Sequence, residues 1–430
     1  MKTTLAALLI LFTLSALAHA QVEDDTTSPS PGLGFALPTV GGTLTYALTG
    51  SESLVTGYGQ NTVASETTLS GDLAYLSSSP NRPFSLVYTG GVQHTTISDS
   101  GYPPVYTFQN LALSQVVATK NWNFVVDDAV SYLPDAPTTG LSGIPGVGDI
   151  GIVPVQIGDQ PTQSILTNFA TRVSNGLNGG VTRQITESLS LAGSASWHIL
   201  HFFSNLGIDS TGEYARIGPN YRINASSSFS ANAIYGYTSE QYQGTNFAFT
   251  SEGLMFQYQR QWSPNLSMSV AAGPQRLYGT GVAALYITPQ IDFVADAGLT
   301  YIHKLTTASL TYTRATDAGS GVLYGGLTNT VMFAVQRQFN LKWQGALMGS
   351  YFQTSALGQV PGFNENYAGV HAGLQVSRRI SPSLSGYASY TALTQSANAP
   401  GVPQNVFTGI SQVFAVGLTY SPGAIHPGHF

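Results

Sequence analysis

The sequence predicts an all-β protein, a closed antiparallel barrel of about eighteen strands that crosses a membrane. Three observations carry this expectation. Only 8% of the 430 residues are Asp, Glu, Lys or Arg, against about a quarter in an ordinary soluble domain. Turn signals recur roughly every forty residues. Between them, apolar and small polar residues alternate with period two over runs of ten residues or more, the pattern of long strands with two differently solvated faces.

Composition narrows the function classes first. Gly reaches 47, Tyr 23 and Phe 20, yet the mean hydropathy is only +0.07, because Ser, Thr, Asn, Gln and Gly interleave with the apolar residues. A disordered acidic chain would be rich in charge and poor in aromatics. Nucleic-acid binding needs clustered Lys and Arg, and this chain has four Lys in all (Lys2, Lys120, Lys304 and Lys342). No run of ~18 apolar residues, the length a membrane helix needs, follows the N-terminal segment.

That segment reads as an export signal. Lys2 supplies a positive n-region, residues 5–17 an apolar core, and Ala18-His19-Ala20 small residues at the positions a signal peptidase reads. Residues 1–20 are therefore expected to be removed after Ala20. Without Lys2, 14 basic residues face 21 acidic ones, and no cysteine is present for a disulfide or a lipid anchor. Residues 21–41, with Glu23, Asp24, Asp25, Pro29 and Pro31, read as a linker.

Short turns are expected around Pro80, Lys120, Glu187, Ser226, Pro264, Thr306, Asn340 and Pro382, at spacings of 40, 67, 39, 38, 42, 34 and 42. The alternation after them is explicit. Leu189, Leu191, Gly193, Ala195, Trp197 and Ile199 oppose Ser188, Ser190, Ser194, Ser196 and His198. Leu341, Trp343, Gly345, Leu347 and Tyr351 oppose Lys342, Gln344 and Ser350. Ala368, Val370, Ala372, Leu374 and Val376 oppose His371, Gln375 and Ser377. A forty-residue period also fits a propeller blade of four short strands. Two long strands per unit fit better here, because ~10 residues let a tilted strand cross a bilayer. Eight turns give sixteen strands; a first near 42–58 and a last near 408–421 make eighteen within a barrel spanning 42–421, with 422–430 as a tail. Phe84, Trp122, Phe229, Trp262 and Trp343 lie beside the short turns, as an interfacial aromatic girdle would. Longer outer loops are expected at 98–104, 204–212, 241–246, 277–288 and 355–366.

Ile410, Gln412, Phe414, Val416, Leu418 and Tyr420 alternate with small residues. This strand resembles the C-terminal assembly signal of bacterial outer-membrane β-barrels of the porin-like kind, with the departure that residues 421–430 follow it. The segment 122–151, with Ser131-Tyr132-Leu133-Pro134 and Gly143-Ile144-Pro145-Gly146-Val147-Gly148-Asp149, looks like a family of uncharacterised barrels, some of which accompany exopolysaccharide secretion genes. The resemblance implies residence in the outer membrane, with lipid and the barrel-assembly machinery as partners. Periplasmic polysaccharide-export proteins and further copies of the chain are additional candidates.

No motif carries chemistry. Gly146-Val147-Gly148-Asp149-Ile150-Gly151 spells a dinucleotide fingerprint, but Pro145 precedes it and Pro154 follows, so no helix opens to hold a pyrophosphate. His198 and His201 are three apart on a strand and point to opposite faces; His426 and His429 lie in the tail. We expect no catalytic residue, cofactor or metal, and no enzyme. The spacing of 67 is more informative, since it inserts a long third outer loop. In diffusion porins that loop narrows the channel, and the resemblance implies the same for 133–165. Asp135, Asp149 and Asp159 are its only charges, so it is too apolar to be well solvated and is expected to pack inside the barrel or across its mouth.

A mid-depth Arg or Lys facing lipid would cost ~2–4 kcal/mol, so alternation assigns Asp72, Asp127, Arg172, Arg216, Arg222, Asp292, Asp296, Lys342, His371 and Arg379 to the lumen. Arg222, Lys342 and Arg379 lie nearest the short turns. Most aromatics alternate outward, with Tyr214, Phe352 and Tyr387 the exceptions. The expected function is a porin-like channel for small polar solutes or saccharides. The alternatives are an outer-membrane component of exopolysaccharide export and a non-conducting surface or structural barrel.

Overall fold

A computed structural model describes residues 42–58, 62–77, 79, 82–96, 104–134, 165, 171–203, 207–358, 366–398, 406 and 408–423. Among them run eighteen strands: β1 (Thr43–Tyr58), β2 (Thr62–Ser77), β3 (Phe84–Thr95), β4 (Val105–Ala118), β5 (Trp122–Pro134), β6 (Thr171–Gln184), β7 (Leu189–Phe202), β8 (Asp209–Asn224) and β9 (Ser227–Tyr242). The second half continues with β10 (Thr245–Ser263), β11 (Leu266–Thr280), β12 (Gln290–His303), β13 (Thr306–Asp317), β14 (Gly326–Gln338), β15 (Trp343–Ala356), β16 (Asn366–Arg379), β17 (Leu384–Ala397) and β18 (Gly409–Tyr420). Each pairs antiparallel with its chain neighbours, and β1 pairs with β18 from Leu48↔Tyr420 to Thr56↔Gln412, closing the sheet. The barrel is the expected one, at eighteen strands.

The chain reverses at the described short turns the sequence marks, from Lys120 to Pro382. Local side-chain chemistry makes these reversals tight. Asn340 Oδ1 accepts the amides of Lys342 and Trp343, Thr186 Oγ1 those of Ser188 and Leu189, and Asn224 Oδ1 that of Ser226, each closing an Asx- or ST-type turn. The turn expected at Thr306 falls two residues earlier, on Lys304 (φ 50°) and Leu305. Pro80, and residues 1–41 with the expected leader and linker, lie outside the described residues, as does most of the tail.

At the opposite end two expected loops are corrected. Residues 241–246 are not a long loop: β9 and β10 meet in a two-residue hairpin at Gln243 (φ 49°) and Gly244 (φ 80°). Two consecutive positive φ values give a turn whose twist matches paired strands, so the ladder continues to Tyr242↔Thr245. Likewise β8 begins at Asp209, inside the expected loop 204–212.

The two faces differ as the alternation requires. Leu54, Leu254, Phe293, Val331, Leu374 and Phe414 are large, apolar and exposed on the outward face, and such residues recur round the whole wall. An apolar belt this continuous has no place on a water-soluble monomer; bilayer hydrocarbon solvates it, and closure leaves no unpaired strand edge there.

Candidate functional site

The inward face has two regimes. In the short-turn half, between β12 and β14, it is wet: Asp296, Met332, Ala334 and Gln336 point inward and are exposed. Their chain neighbour Phe333 is exposed on the other side, so both faces of β14 are open there, one to lipid and one to the lumen. In the long-loop half, the inward side chains Phe352, Tyr367, Phe247, Phe249 and Leu277 are buried.

What covers them is largely the β13–β14 connection, residues 318–325. Val322, Leu323 and Tyr324 are all nearly or fully buried. Val322 and Leu323 join Phe352, Tyr367, Val406 and Ile165 in one apolar cluster. Tyr324 joins Ile208, Phe247, Phe249, Leu277, Ile287 and Leu357 in another, its ring centroid 4.0 Å from that of Phe247. The connection thus reaches inward and links loops from both sides of the mouth. Gly319 (φ 63°), Gly321 (φ 77°) and Gly325 (φ 73°) supply left-handed turns that bend it. Asp317 Oδ1 accepts the Gly319 amide at 2.7 Å, Gly321 O accepts the Ile208 amide at 2.9 Å, and Glu240 Oε1 accepts the Gly325 amide at 3.1 Å. Burial, with Glu240 and Tyr242 nearby, pushes the Tyr324 hydroxyl up to about 12, so it remains a neutral phenol at physiological pH.

Ile165 is the one described residue of the long β5–β6 connection, and it is buried in the apolar cluster that includes Phe352 of β15 and Tyr367 of β16. In the ring, β15 stands nine places from β6, diametrically opposite. Asp135, Asp149 and Asp159 lie outside the described residues.

Of the charged residues assigned to the lumen, Asp72, Asp127, Arg172, Arg216, Asp292, Asp296 and His371 lie on the inward face by register. They do not form one cluster. Asp72 is buried and accepts a 2.7 Å bond from Thr89; Arg172 and His371 are also buried. Arg216 Nε donates to Ser194 Oγ at 2.9 Å in a recess with Asn220, Ser230 and Asn232. Asp296 accepts from Thr313 and Asp292 from Gln290. At the short-turn rim Arg222 donates to Glu187 O and Arg379 to Pro382 O. Lys342 sits in the turn before β15, off the wall. Phe84, Trp122, Phe229, Trp262 and Trp343 all take the outward face beside short turns.

Two features escaped the sequence reading. Inward aromatics are not three: Tyr106, Phe108, Phe202, Phe247, Phe249 and Tyr367 join Tyr214, Phe352 and Tyr387. Most stand at the long-loop end, where the connections cover them. Buried inward carboxylates also include Glu66 and Glu240. On the outward face Asp128, mid-strand, accepts a 2.7 Å bond from Asn175, a polar pair where alternation alone would place apolar residues. The histidines divide as expected: His198 faces inward and His201 outward, where its Nδ1 lies 2.6 Å from Asp209 Oδ2. Among the described residues no group of three His, Asp or Glu is arranged to hold a metal.

The geometry defines a class: a closed, membrane-spanning antiparallel barrel with a polar inner wall and a partly occluded mouth. Among solved structures the chain is similar to OccK2 (OpdF) of Pseudomonas aeruginosa, at 10% identity and a TM-score of 0.42, covering 90% of this chain and 98% of that one. It is also similar to a BenF-like porin of Pseudomonas fluorescens Pf-5, at 10% identity and TM-score 0.42 over 89% and 98% of the two chains. OpdK of Pseudomonas aeruginosa, solved with vanillate, matches at 9% identity and TM-score 0.41 over 89% and 99%. No family model and no curated protein matches the chain.

Proposed function

We propose that the protein is a porin-like channel of the bacterial outer membrane, passing small polar solutes or saccharides by diffusion, with its short turns in the periplasm. One observation carries the reading. A wet, uncharged to weakly acidic inner wall between β12 and β14 leads up to a mouth narrowed by residues 318–325 and by the side chain of Ile165. Eighteen strands enclose enough space for water, and the few lumenal charges predict weak ion selectivity. No chemical step is involved; passage depends on how the apolar loop cluster divides the mouth.

Planar-bilayer recordings of the refolded protein test this. Discrete conductance steps support it, and purified, correctly inserted protein that conducts at no voltage rejects an open pore. The packed mouth also supports a second reading, a non-conducting structural barrel, and the same recordings separate the two.

A further inference from the structure

Four arginines stand on the outward face within the last four residues of their strands at the short-turn end: Arg183, Arg260, Arg337 and Arg378. All four are exposed. Three are stacked on the girdle. The guanidinium carbon of Arg183 lies 5.1 Å from the Trp122 ring centre, that of Arg260 4.5 Å from Trp262, and that of Arg378 5.2 Å from Trp343. Among the described residues none of the four donates to a protein acceptor. Two other rim arginines differ, since Arg222 and Arg379 donate to turn carbonyls. The outward carboxylates Glu52, Asp128, Glu213 and Glu252 all stand farther from the short turns, and Glu187 is the single acid in the described short turns, so this band is predominantly positive.

We propose that this rim is a docking surface for anionic phospholipid in the leaflet at the short turns, each guanidinium taking a headgroup phosphate. Indole rings settle at headgroup depth, and a stacked guanidinium is held there by the ring. Its planar fork of N–H donors matches phosphate oxygens in a bidentate geometry, and anionic lipid attracts such cations more than zwitterionic lipid does. The surface is an arc. The described strands from β17 through β18 and β1 to β4 carry no outward Arg or Lys at this end, where the cations are Arg82 and Lys120 in the turns, so the girdle-stacked arginines are confined to the β5–β16 side. The proposal rests on the reading of the chain as a membrane-spanning barrel.

The test is to refold the full chain into phosphatidylcholine vesicles containing a minor fraction of phosphatidylglycerol, and to compare quenching of tryptophan fluorescence by brominated forms of each lipid. The wild type is expected to be quenched several-fold more strongly by brominated phosphatidylglycerol at equal mole fraction. The quadruple variant R183Q/R260Q/R337Q/R378Q should lose that preference, and the four corresponding Lys substitutions should keep part of it, because charge remains but the fork does not. If the quadruple variant does not fold, R183Q and R378Q are measured singly, each with a partial loss. Equal quenching by the two lipids, or a preference unchanged in the variants, overturns the proposal while leaving the barrel intact. Failure of the wild type to insert, seen as no heat-modifiable band on gels, overturns the membrane reading and this proposal with it.

Discussion

Gly325 donates its amide hydrogen to Glu240 Oε1 at 3.1 Å, joining the β13–β14 connection to the wall at β9. Glu240 is fully buried, and its Oε2 has no hydrogen-bond partner among the described residues. A polar side chain kept there under a loop of apolar residues anchors that loop. Replacing Glu240 with Ala leaves the Gly325 amide unpaired and costs about 1–3 kcal/mol, whereas E240Q keeps an acceptor in place. Denaturant unfolding in detergent should rank wild type and E240Q above E240A, and open-channel noise should rise only in E240A.

The loop cluster at the mouth sets a second expectation. Leu323 is completely buried in one apolar cluster with Phe352, Tyr367 and Ile165. A Leu323→Asp substitution puts an unpaired charge into that cluster, which the connection avoids by swinging out. Single-channel conductance should rise several-fold with the barrel still inserted. Unchanged conductance would mean that solutes pass elsewhere than through this cluster.

Neighbouring residues on β14 give a direct reading of which face meets lipid. Phe333 points outward and Ala334 inward, and both are exposed. F333R should destabilise the barrel in lipid vesicles by ~2–4 kcal/mol, while A334R, in the wet lumen, should be close to neutral. Urea titrations of refolding into vesicles measure both, and similar costs for the two would contradict the assignment of faces.

The Asp128–Asn175 pair on the outward wall is tested by removal. Taking away one partner strands the other's polar group, whereas replacing both with leucine lets lipid solvate the site. D128L/N175L should therefore be at least as stable as wild type in vesicles, and N175L alone less stable by about 1–3 kcal/mol. A double variant worse than either single one would show that the pair serves some contact beyond the barrel wall.

The scaffold was readable because strand period is a local property. Leu189 to Ile199 and Ile410 to Tyr420 announce their faces residue by residue, and Asn340 and Thr186 mark turns by bonds made within three residues. The lumen was less readable, since its partners come from far along the chain. Glu240 and Gly325 are 85 positions apart, and nothing near either signals the other. Phe247 and Phe249 alternate just as outward residues do, and only the two-residue hairpin at Gln243 and Gly244 fixes them inward. A usable signal was present at the mouth. Val322-Leu323-Tyr324, flanked by Gly319, Gly321 and Gly325, is as apolar as the segment 133–165, and the same solvation argument applied to it would have placed it under cover.

The seam between β1 and β18 has a consequence for biogenesis. The first and last strands of the chain are hydrogen-bonded to each other from Leu48↔Tyr420 to Thr56↔Gln412, so every earlier intermediate is an open ribbon with two sticky margins. The longest-range pairing among the described strands is also the one that seals the sheet, and contacts of such sequence separation form slowly. A nascent chain that stops before β18 (Gly409–Tyr420) has nearly all its hairpins and still no cylinder, so the arrival of that strand decides between a finished wall and an aggregation-prone sheet.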